Sequence, residues 1–208
     1  MPRLVGMASG TVLELGPGSG NQFDRFDRTA TSRIYGIEPN EYLFNRLRNE
    51  TIKQHGLSDI YVPINAALED DKVLESWGID TGSIDTVVCM QVLCSVSDPA
   101  RAAKHIYRLL KPGGQLLFWE HQASRDTVTR LVQGESTIDS LKRAIGSSSP
   151  VVGCWNMIWT PLIGGCHLSR DIERALVNAG DWKIVELGYD DDQPWQLMPR
   201  VWGRFVKP

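Results

Sequence analysis

This 208-residue sequence predicts one α/β domain over residues 1–208, built on a doubly wound, mostly parallel β-sheet. Short apolar runs of strand length alternate with segments of helical periodicity. Several of the runs are almost continuously apolar, which is typical of strands that helices cover on both faces. A glycine-rich turn follows the first run, at the sheet edge where folds of this class bind ligands.

Six segments have the composition of β-strands, because Val, Ile, Leu and aromatic residues dominate them. They are TVLEL (11–15), RIYGIE (33–38), IYVPIN (60–65), IDTVVCM (84–90), GQLLFWEH (114–121) and WKIVELGY (182–189).

Three segments have helical periodicity and recognisable ends. The helix predicted over 41–56 stops at a glycine, and the one over 98–114 begins with an Asp cap followed by Pro and stops at Pro-Gly-Gly. The helix predicted over 169–180 begins with Ser169 as its N-cap and ends at a glycine. The alternation of these helices with the strands favours parallel pairing.

The segment from about 122 to 165 has no clear strand pattern. We expect it to be an insertion after the fifth strand that lies over the ligand cleft and adds substrate surface. Trp155 and Trp159 either form an aromatic wall against a bound substrate or pack as the core of the insertion.

Composition and charge exclude several classes of protein. A net charge of −3 with scattered Lys and Arg offers no basic surface for nucleic acid. No apolar run is long enough to span a membrane and no signal peptide is visible, so we expect a cytoplasmic protein. The four cysteines show no CxxC pair and no zinc spacing, so we predict no metal site and expect Cys89 and Cys94 to be small core residues.

The glycines of the first turn, Gly16, Gly18 and Gly20, follow the strand as GxGxG. Glycine suits such a turn because a Cβ would keep the backbone away from a ligand and because the turn can require a positive φ. The nicotinamide fingerprint GxGxxG needs a glycine at position 21, where this chain has Asn21.

An acidic residue, Glu38, ends the second strand eighteen residues after the last glycine of the turn. A carboxylate at this place can accept hydrogen bonds from both ribose hydroxyls of an adenosine. After the third strand, the small residues Ala66 and Ala67 leave room for an adenine ring, with Asn65 or Glu69 at its edge.

With these elements in order, the sequence resembles the class I S-adenosylmethionine-dependent methyltransferases. ELGPGSG resembles motif I, GIEPN the acidic loop, and LLKPGGQLLFWEH the later helix, turn and fifth strand. The block 83–121 is similar to a group of enzymes that methylate small molecules such as alkyl thiols, and the resemblance resumes at 159–176 and 199–208.

The resemblance implies a Rossmann-like fold and S-adenosylmethionine as the cofactor. The glycines of the turn would hold its methionine portion, Glu14 its ammonium group, Glu38 its ribose, and Gln91 would face the sulfonium. The implied cofactor-binding residues are Glu14, Gly16, Gly18, Gly20, Glu38, Pro39, Asn65, Ala66, Ala67 and Gln91.

The sequence departs from this family at three places, one of which is the segment from about 124 to 153, which is longer than in the family and leaves the identity of the acceptor open. About ten residues precede the first strand, where membrane-bound members have an anchor and further helices. We therefore expect a shortened form, or a homodimer in which a second copy covers the cleft. The tripeptide GGC (164–166) stands where the family has DGC, so a substrate role of that acid is lost.

The predicted activity is methyl transfer to a small-molecule thiol, amine or hydroxyl. His121, directly after the fifth strand, is either a general base or a strand-end histidine with a structural hydrogen bond. The alternatives are a protein that binds S-adenosylmethionine for regulation or for another reaction, a nicotinamide oxidoreductase, and an interaction module.

Overall fold

The computed structural model describes residues 2–125, 159–162, 164–190, 196 and 198–208. Seven strands form one sheet in this part of the chain. They are β1 (Gly10–Leu15), β2 (Thr31–Ile37), β3 (Tyr61–Ile64), β4 (Ile84–Met90), β5 (Leu110–His121), β6 (Lys183–Asp190) and β7 (Arg200–Val206).

The sheet has the strand order β3-β2-β1-β4-β5-β7-β6, and β1 to β5 pair in parallel. This confirms the doubly wound, mostly parallel sheet. The seventh strand was not predicted as a strand: β7 lies between β5 and β6 and is antiparallel to both. The chain leaves β1 towards one side of the sheet and β4 towards the other, which opens a crevice at their carboxyl ends.

The helices are short and connect the strands. Those with both ends in the described residues are α1 (Pro2–Val5), α2 (Glu41–Arg46), α3 (Ile52–Gln54), α4 (Asp71–Ser76), α5 (Pro99–Leu109) and α6 (Ile172–Val177), and residues 159–162 are also helical. A π-helical segment, Leu47–Thr51, joins α2 to α3, so the predicted helix over 41–56 forms with a local change of winding.

Two of the predicted helix starts have different outcomes. Asp98 caps α5 as expected, since its side chain accepts hydrogen bonds from the backbone N–H groups of Ala100 and Arg101. The prediction of Ser169 as a cap was wrong. The cap of α6 is Asp171, which lies two residues after Ser169. Its carboxylate accepts a hydrogen bond from Arg174 N at 3.0 Å.

The core lies on both faces of the sheet. Val12 and Val88 are fully buried in one apolar cluster, and their sequence neighbours Leu13 and Val87 are fully buried in the other. Side chains of successive strand residues point to opposite faces, so both faces of the central strands are covered. This double burial explains why the strand segments are almost continuously apolar.

Among the described helices, none combines the length and apolar character that crossing a membrane requires. The insertion predicted over 122–165 lies mostly outside the described residues, and so does Trp155.

A buried hydrogen bond links β1 to β3 across the intervening strand. The hydroxyl of Tyr61 donates to Glu14 Oε2 at 2.7 Å, and both residues are buried. The tyrosine side chain reaches β1 by passing over Gly36 of β2, where a Cβ would overlap its hydroxyl oxygen. Gly36 is therefore required by this contact, although its place in RIYGIE gave no indication of it.

We expect the substitution Gly36→Ala to lower the free energy of unfolding by about 1–3 kcal/mol, because the added methyl group displaces the Tyr61 ring from a packed site. Urea denaturation measures the change. Gly6→Ala is the matched control, since a Cβ there would meet no atom closer than 3.5 Å. Equal stabilities of the two variants would contradict the assignment.

Candidate functional site

A cleft of about 760 Å³ opens at the carboxyl ends of the strands. The loops after β1, β2, β3 and β4 form its walls, and its lining is mainly apolar. It includes Leu43 of α2, Leu68 after β3, and Val92 and Val96 after β4. The cleft lies where the strand order reverses, as expected for a sheet of this class.

The three glycines of the first turn all have positive φ angles, but they are needed for different reasons. A Cβ at Gly16 would meet Val92 at 2.9 Å, and one at Gly20 would meet Thr51 at 2.8 Å. A Cβ at Gly18 would meet no protein atom within 4 Å and would extend into the cleft region. Gly18 is thus the glycine that leaves room for a ligand.

The carboxylate of Glu38 lies at the end of β2 with both oxygens held by backbone donors. Oε2 accepts from Gly18 N at 3.0 Å, and Oε1 accepts from Asn40 N at 3.0 Å. Each oxygen retains a further lone pair towards the cleft, so the carboxylate can accept two hydroxyl donors there. Asn65 holds the backbone from the other side, because its Nδ2 donates to the Glu38 carbonyl at 2.8 Å.

The structure brings most of the predicted cofactor residues together. Those that line the large cleft are Gly16, Gly18, Glu38, Pro39, Ala66, Ala67 and Gln91. Glu14 lines an adjoining pocket of about 230 Å³, which also contains Gly16, Gly18 and Gln91. Asn65 and Gly20 are outside both linings and support neighbouring residues instead.

Burial strongly perturbs the carboxyl group of Glu14. Its removal from water raises its pKa to about 7, and the nearby Glu38 carboxylate acts in the same direction. The hydrogen bond from Tyr61 opposes the shift because it stabilises the charged form. A group that titrates so close to neutrality can carry a negative charge when an ammonium group lies beside it.

Gln91 is the first residue after β4 and has a φ of 64°, a left-handed backbone conformation that is uncommon for residues other than glycine. Its backbone N–H donates to Trp119 O at 2.8 Å, and its Nε2 lies 3.1 Å from His121 Nε2. Strained backbone of this kind concentrates at functional sites. The side chain lies between the cleft and the end of β5.

Glu120, which was not among the residues predicted from the sequence, organises the loop after β4. This residue of β5 is fully buried, and its carboxylate accepts from Val92 N at 2.8 Å and Cys94 N at 3.3 Å. The thiol of Cys89 also donates to it, at 3.2 Å. Burial raises the pKa of Glu120 to about 7, while the Val92 N–H and the other donors oppose the shift. An acid inside an apolar strand was the available signal.

His121 lies in a group of three side chains that we call the Cys–His cluster, formed by Cys94, His121 and Cys166. The ring Nδ1 is 3.4 Å from Cys166 Sγ and 3.8 Å from Cys94 Sγ. Cys94 is buried, as expected of a small core residue, but its thiol also contacts the polar ring of His121. Trp159 packs edge-on to the His121 ring, with the ring centroids 6.4 Å apart.

The pKa values of the two thiols in the Cys–His cluster are shifted in opposite directions. Hydrogen bonding from the Cys94 thiol lowers the pKa of Cys166, and the contact with His121 acts in the same direction against burial. The pKa of Cys94 is raised, because it donates to Cys166 and is itself buried. The sulfur of Cys166 therefore carries a negative charge in preference to that of Cys94.

Comparison with known proteins gives three findings. The family model described as "Methyltransferase domain" matches residues 2–180. The thiol S-methyltransferase TMT1B of Homo sapiens is 36% identical over 96% of this chain and 72% of its own length. The thiol S-methyltransferase TMT1B of Rattus norvegicus is 28% identical over 92% of this chain, which spans 65% of that protein's length.

A solved structure has the same fold at low identity. It is the N-methyltransferase NodS from Bradyrhizobium japonicum in complex with S-adenosyl-L-homocysteine, with a TM-score of 0.62 and 16% identity. The match covers 99% of this chain and 83% of that one. The likeness therefore concerns the arrangement of the whole sheet and its helices.

The raised pKa of Glu120 makes stability depend on pH. The folded state holds this proton more tightly than the ordinary value of 4.5 allows, so the contribution is fully present below pH 4.5 and is lost as pH rises to about 7. We expect the loss to reach about 3 kcal/mol at most, and Glu120→Gln to remove it. Urea denaturation between these pH values measures the slope.

The exposed Glu75 on α4 supplies the control variant Glu75→Gln, which should keep the wild-type slope. Glu14 contributes in the same direction in every variant, so some slope remains in Glu120→Gln. An unchanged slope in Glu120→Gln would contradict the role given to burial.

Proposed function

The chain belongs to the S-adenosylmethionine-dependent methyltransferases, and we propose that its acceptor is the sulfur atom of a small apolar thiol. The main support for a thiol acceptor is that nearly the whole chain is similar to relatives named as thiol S-methyltransferases. The mainly apolar cleft supports it, since apolar walls favour an uncharged organic acceptor.

The residues present fit the cofactor. The open space at Gly18 admits a ligand close to the backbone, and Glu38 offers two carboxylate oxygens to the ribose hydroxyls. Ala66 and Ala67 have side chains small enough for an adenine ring to lie against them. Glu14 lines the adjoining pocket, and its carboxylate would pair with the ammonium of the methionine portion.

When bound, S-adenosylmethionine supplies a methyl group on a positively charged sulfur, which a nucleophile takes by in-line displacement. The protein's main task is to align the acceptor, because positioning supplies much of the rate enhancement in such a reaction. Val92 and Val96 contribute apolar side chains to the wall of the cleft. Removing water favours a reaction in which a thiolate and a sulfonium lose their charges together.

The role of His121 as a general base stays a prediction. The residue is only 6% exposed and is not among those that line the cleft. Both of its ring nitrogens contact protein groups, Gln91 on one side and the two thiols on the other. A thiol acceptor is far more acidic than an alcohol and needs less help from a base than a hydroxyl does.

Coverage of the cleft by a second copy of the chain stays a prediction, as do a cytoplasmic location and the lack of nucleic-acid binding. Sedimentation with and without cofactor tests the first of these.

We expect Glu38→Ala to weaken the binding of S-adenosylhomocysteine by about 1–3 kcal/mol, the loss typical of hydrogen bonds to a charged group. Isothermal titration calorimetry measures the affinity. Glu41→Ala, which removes an exposed carboxylate of α2 three residues away, is the matched control and should bind normally. Normal binding by Glu38→Ala would rule out the ribose assignment.

The acceptor class is tested with three compounds of one carbon skeleton that carry a thiol, an amine or a hydroxyl. The protein is incubated with methyl-labelled S-adenosylmethionine, and mass spectrometry follows the methylated products and S-adenosylhomocysteine. We expect the thiol alone to gain one methyl group. Methylation of the amine or the alcohol with the thiol unchanged would overturn the proposal, and Glu38→Ala controls for background transfer.

A further inference from the structure

The Cys–His cluster brings together three metal-ligating side chains that are far apart in the sequence. Cys94 comes from the loop after β4, His121 from the end of β5, and Cys166 from the segment before α6. Their ligand atoms all lie within 4.8 Å of one another, and all three residues are buried. The three residues are too far apart in the sequence to form a recognisable spacing motif. The positions of the cysteines therefore did not predict this group.

The distances in the cluster correspond to those around a tetrahedral ion. Zinc binds sulfur at about 2.3 Å and imidazole nitrogen at about 2.0–2.1 Å, which places two such ligands about 3.6 Å apart at the tetrahedral angle. The observed separations from His121 Nδ1 are 3.4 Å to Cys166 Sγ and 3.8 Å to Cys94 Sγ. Both separations from Nδ1 are thus close to the tetrahedral value, and the third atom pair, the two sulfurs, lies within 4.8 Å.

The surroundings of the three side chains hold them in place. The N–H of Cys94 donates to Glu120, and its carbonyl accepts from His167 N and from the Arg170 guanidinium, both at 2.9 Å. The carbonyl of Cys166 accepts from the Thr160 hydroxyl at 3.1 Å. A site whose ligands are fixed before the ion arrives loses little conformational freedom on binding.

Gln91 provides the outer contact that a histidine ligand requires. Its side-chain amide lies 3.1 Å from His121 Nε2. A half-turn of the amide would present its oxygen to Nε2–H, which leaves Nδ1 without a proton and free to bind a metal. With its amide turned in this way, Gln91 holds the orientation of the His121 ring and leaves Nδ1 as the atom that coordinates the metal.

The cluster lies directly behind the cleft. Ser95, which follows Cys94, lines the cleft, and so does Gly164, two residues before Cys166. Gln91, which contacts His121, lines it as well. Each of the three candidate ligands is therefore one or two residues, or one contact, away from the cleft wall.

We propose that Cys94, His121 and Cys166 bind one Zn²⁺ ion and that its fourth position receives the acceptor sulfur from the cleft. Sites with three protein ligands keep one position open for water or substrate. A thiol that binds there loses its proton to solvent and is held as the thiolate, the nucleophilic form. The second half of the proposal rests on the proposed function, whereas the metal site stands on the cluster alone.

Cobalt serves as the probe, because Co²⁺ replaces zinc and its spectrum reports the ligands. The purified full chain is stripped with a chelator and titrated with Co²⁺. We expect one equivalent to bind, with a sulfur-to-cobalt charge-transfer band and the visible bands of tetrahedral geometry. Cys94→Ser and Cys166→Ser should each weaken binding at least about tenfold and reduce the charge-transfer band.

Cys89→Ser is the matched control, since Cys89 is also a buried free cysteine but lies outside the cluster. It should bind Co²⁺ as the wild type does. Binding of S-adenosylhomocysteine checks that each variant is folded. Failure of the folded wild type to bind Co²⁺ through sulfur would overturn the metal site, whatever the variants do.

A separate measurement tests whether the acceptor sulfur binds the metal ion. Addition of a small alkyl thiol to the Co²⁺ form should strengthen the charge-transfer band, and the matched alcohol should leave it unchanged. A band that the thiol does not alter would overturn acceptor coordination while the metal site stands. A thiol that alters the band but is never methylated would instead contradict the proposed function.

Discussion

A carboxylate that is wholly withdrawn from water fixes the loop after β4, and residues of that loop serve both the cleft and the Cys–His cluster. Glu120 supplies it from β5 and accepts hydrogen bonds from Val92 N and Cys94 N. Burying this acid is costly, and the donors around it offset part of the cost. Val92 lines the cleft while Cys94 belongs to the cluster, so one carboxylate, through two hydrogen bonds, sets the position of both.

A second buried acid plays the same part on the other side of the crevice. Glu14 is held by Tyr61, and the tyrosine reaches it only because Gly36 has no side chain. The pocket beside the glycine turn is thus fixed by a residue two strands away. Both acids have pKa values raised by burial, and both are held by donors from other strands or loops.

The sequence predicted most of the scaffold, because strand and helix periodicity and the turn glycines are local signals. The strands from β1 to β6 and the cap of α5 follow from residues close together in the chain. The segment of β7 was recognised only by resemblance. Its strand character depends on pairing with β5 and β6, which no short stretch of sequence reveals.

The candidate site was predicted only in part, for a similar reason. Gly18 and Glu38 are marked by the turn and the strand end that carry them, and the structure places them together. The Cys–His cluster combines residues from three distant segments, and Glu120 acts on a loop more than twenty residues away. Relations of this kind appear only when the chain has folded.

The position of β7 has a consequence for how the chain folds during synthesis. β7 is made after β6 but lies between β6 and β5, so β5 keeps an open edge until residues 200–206 leave the ribosome. An unpaired edge invites association with other strands. His121 pairs with Arg200 at the end of that edge, which means that its surroundings are incomplete until β7 has paired with β5.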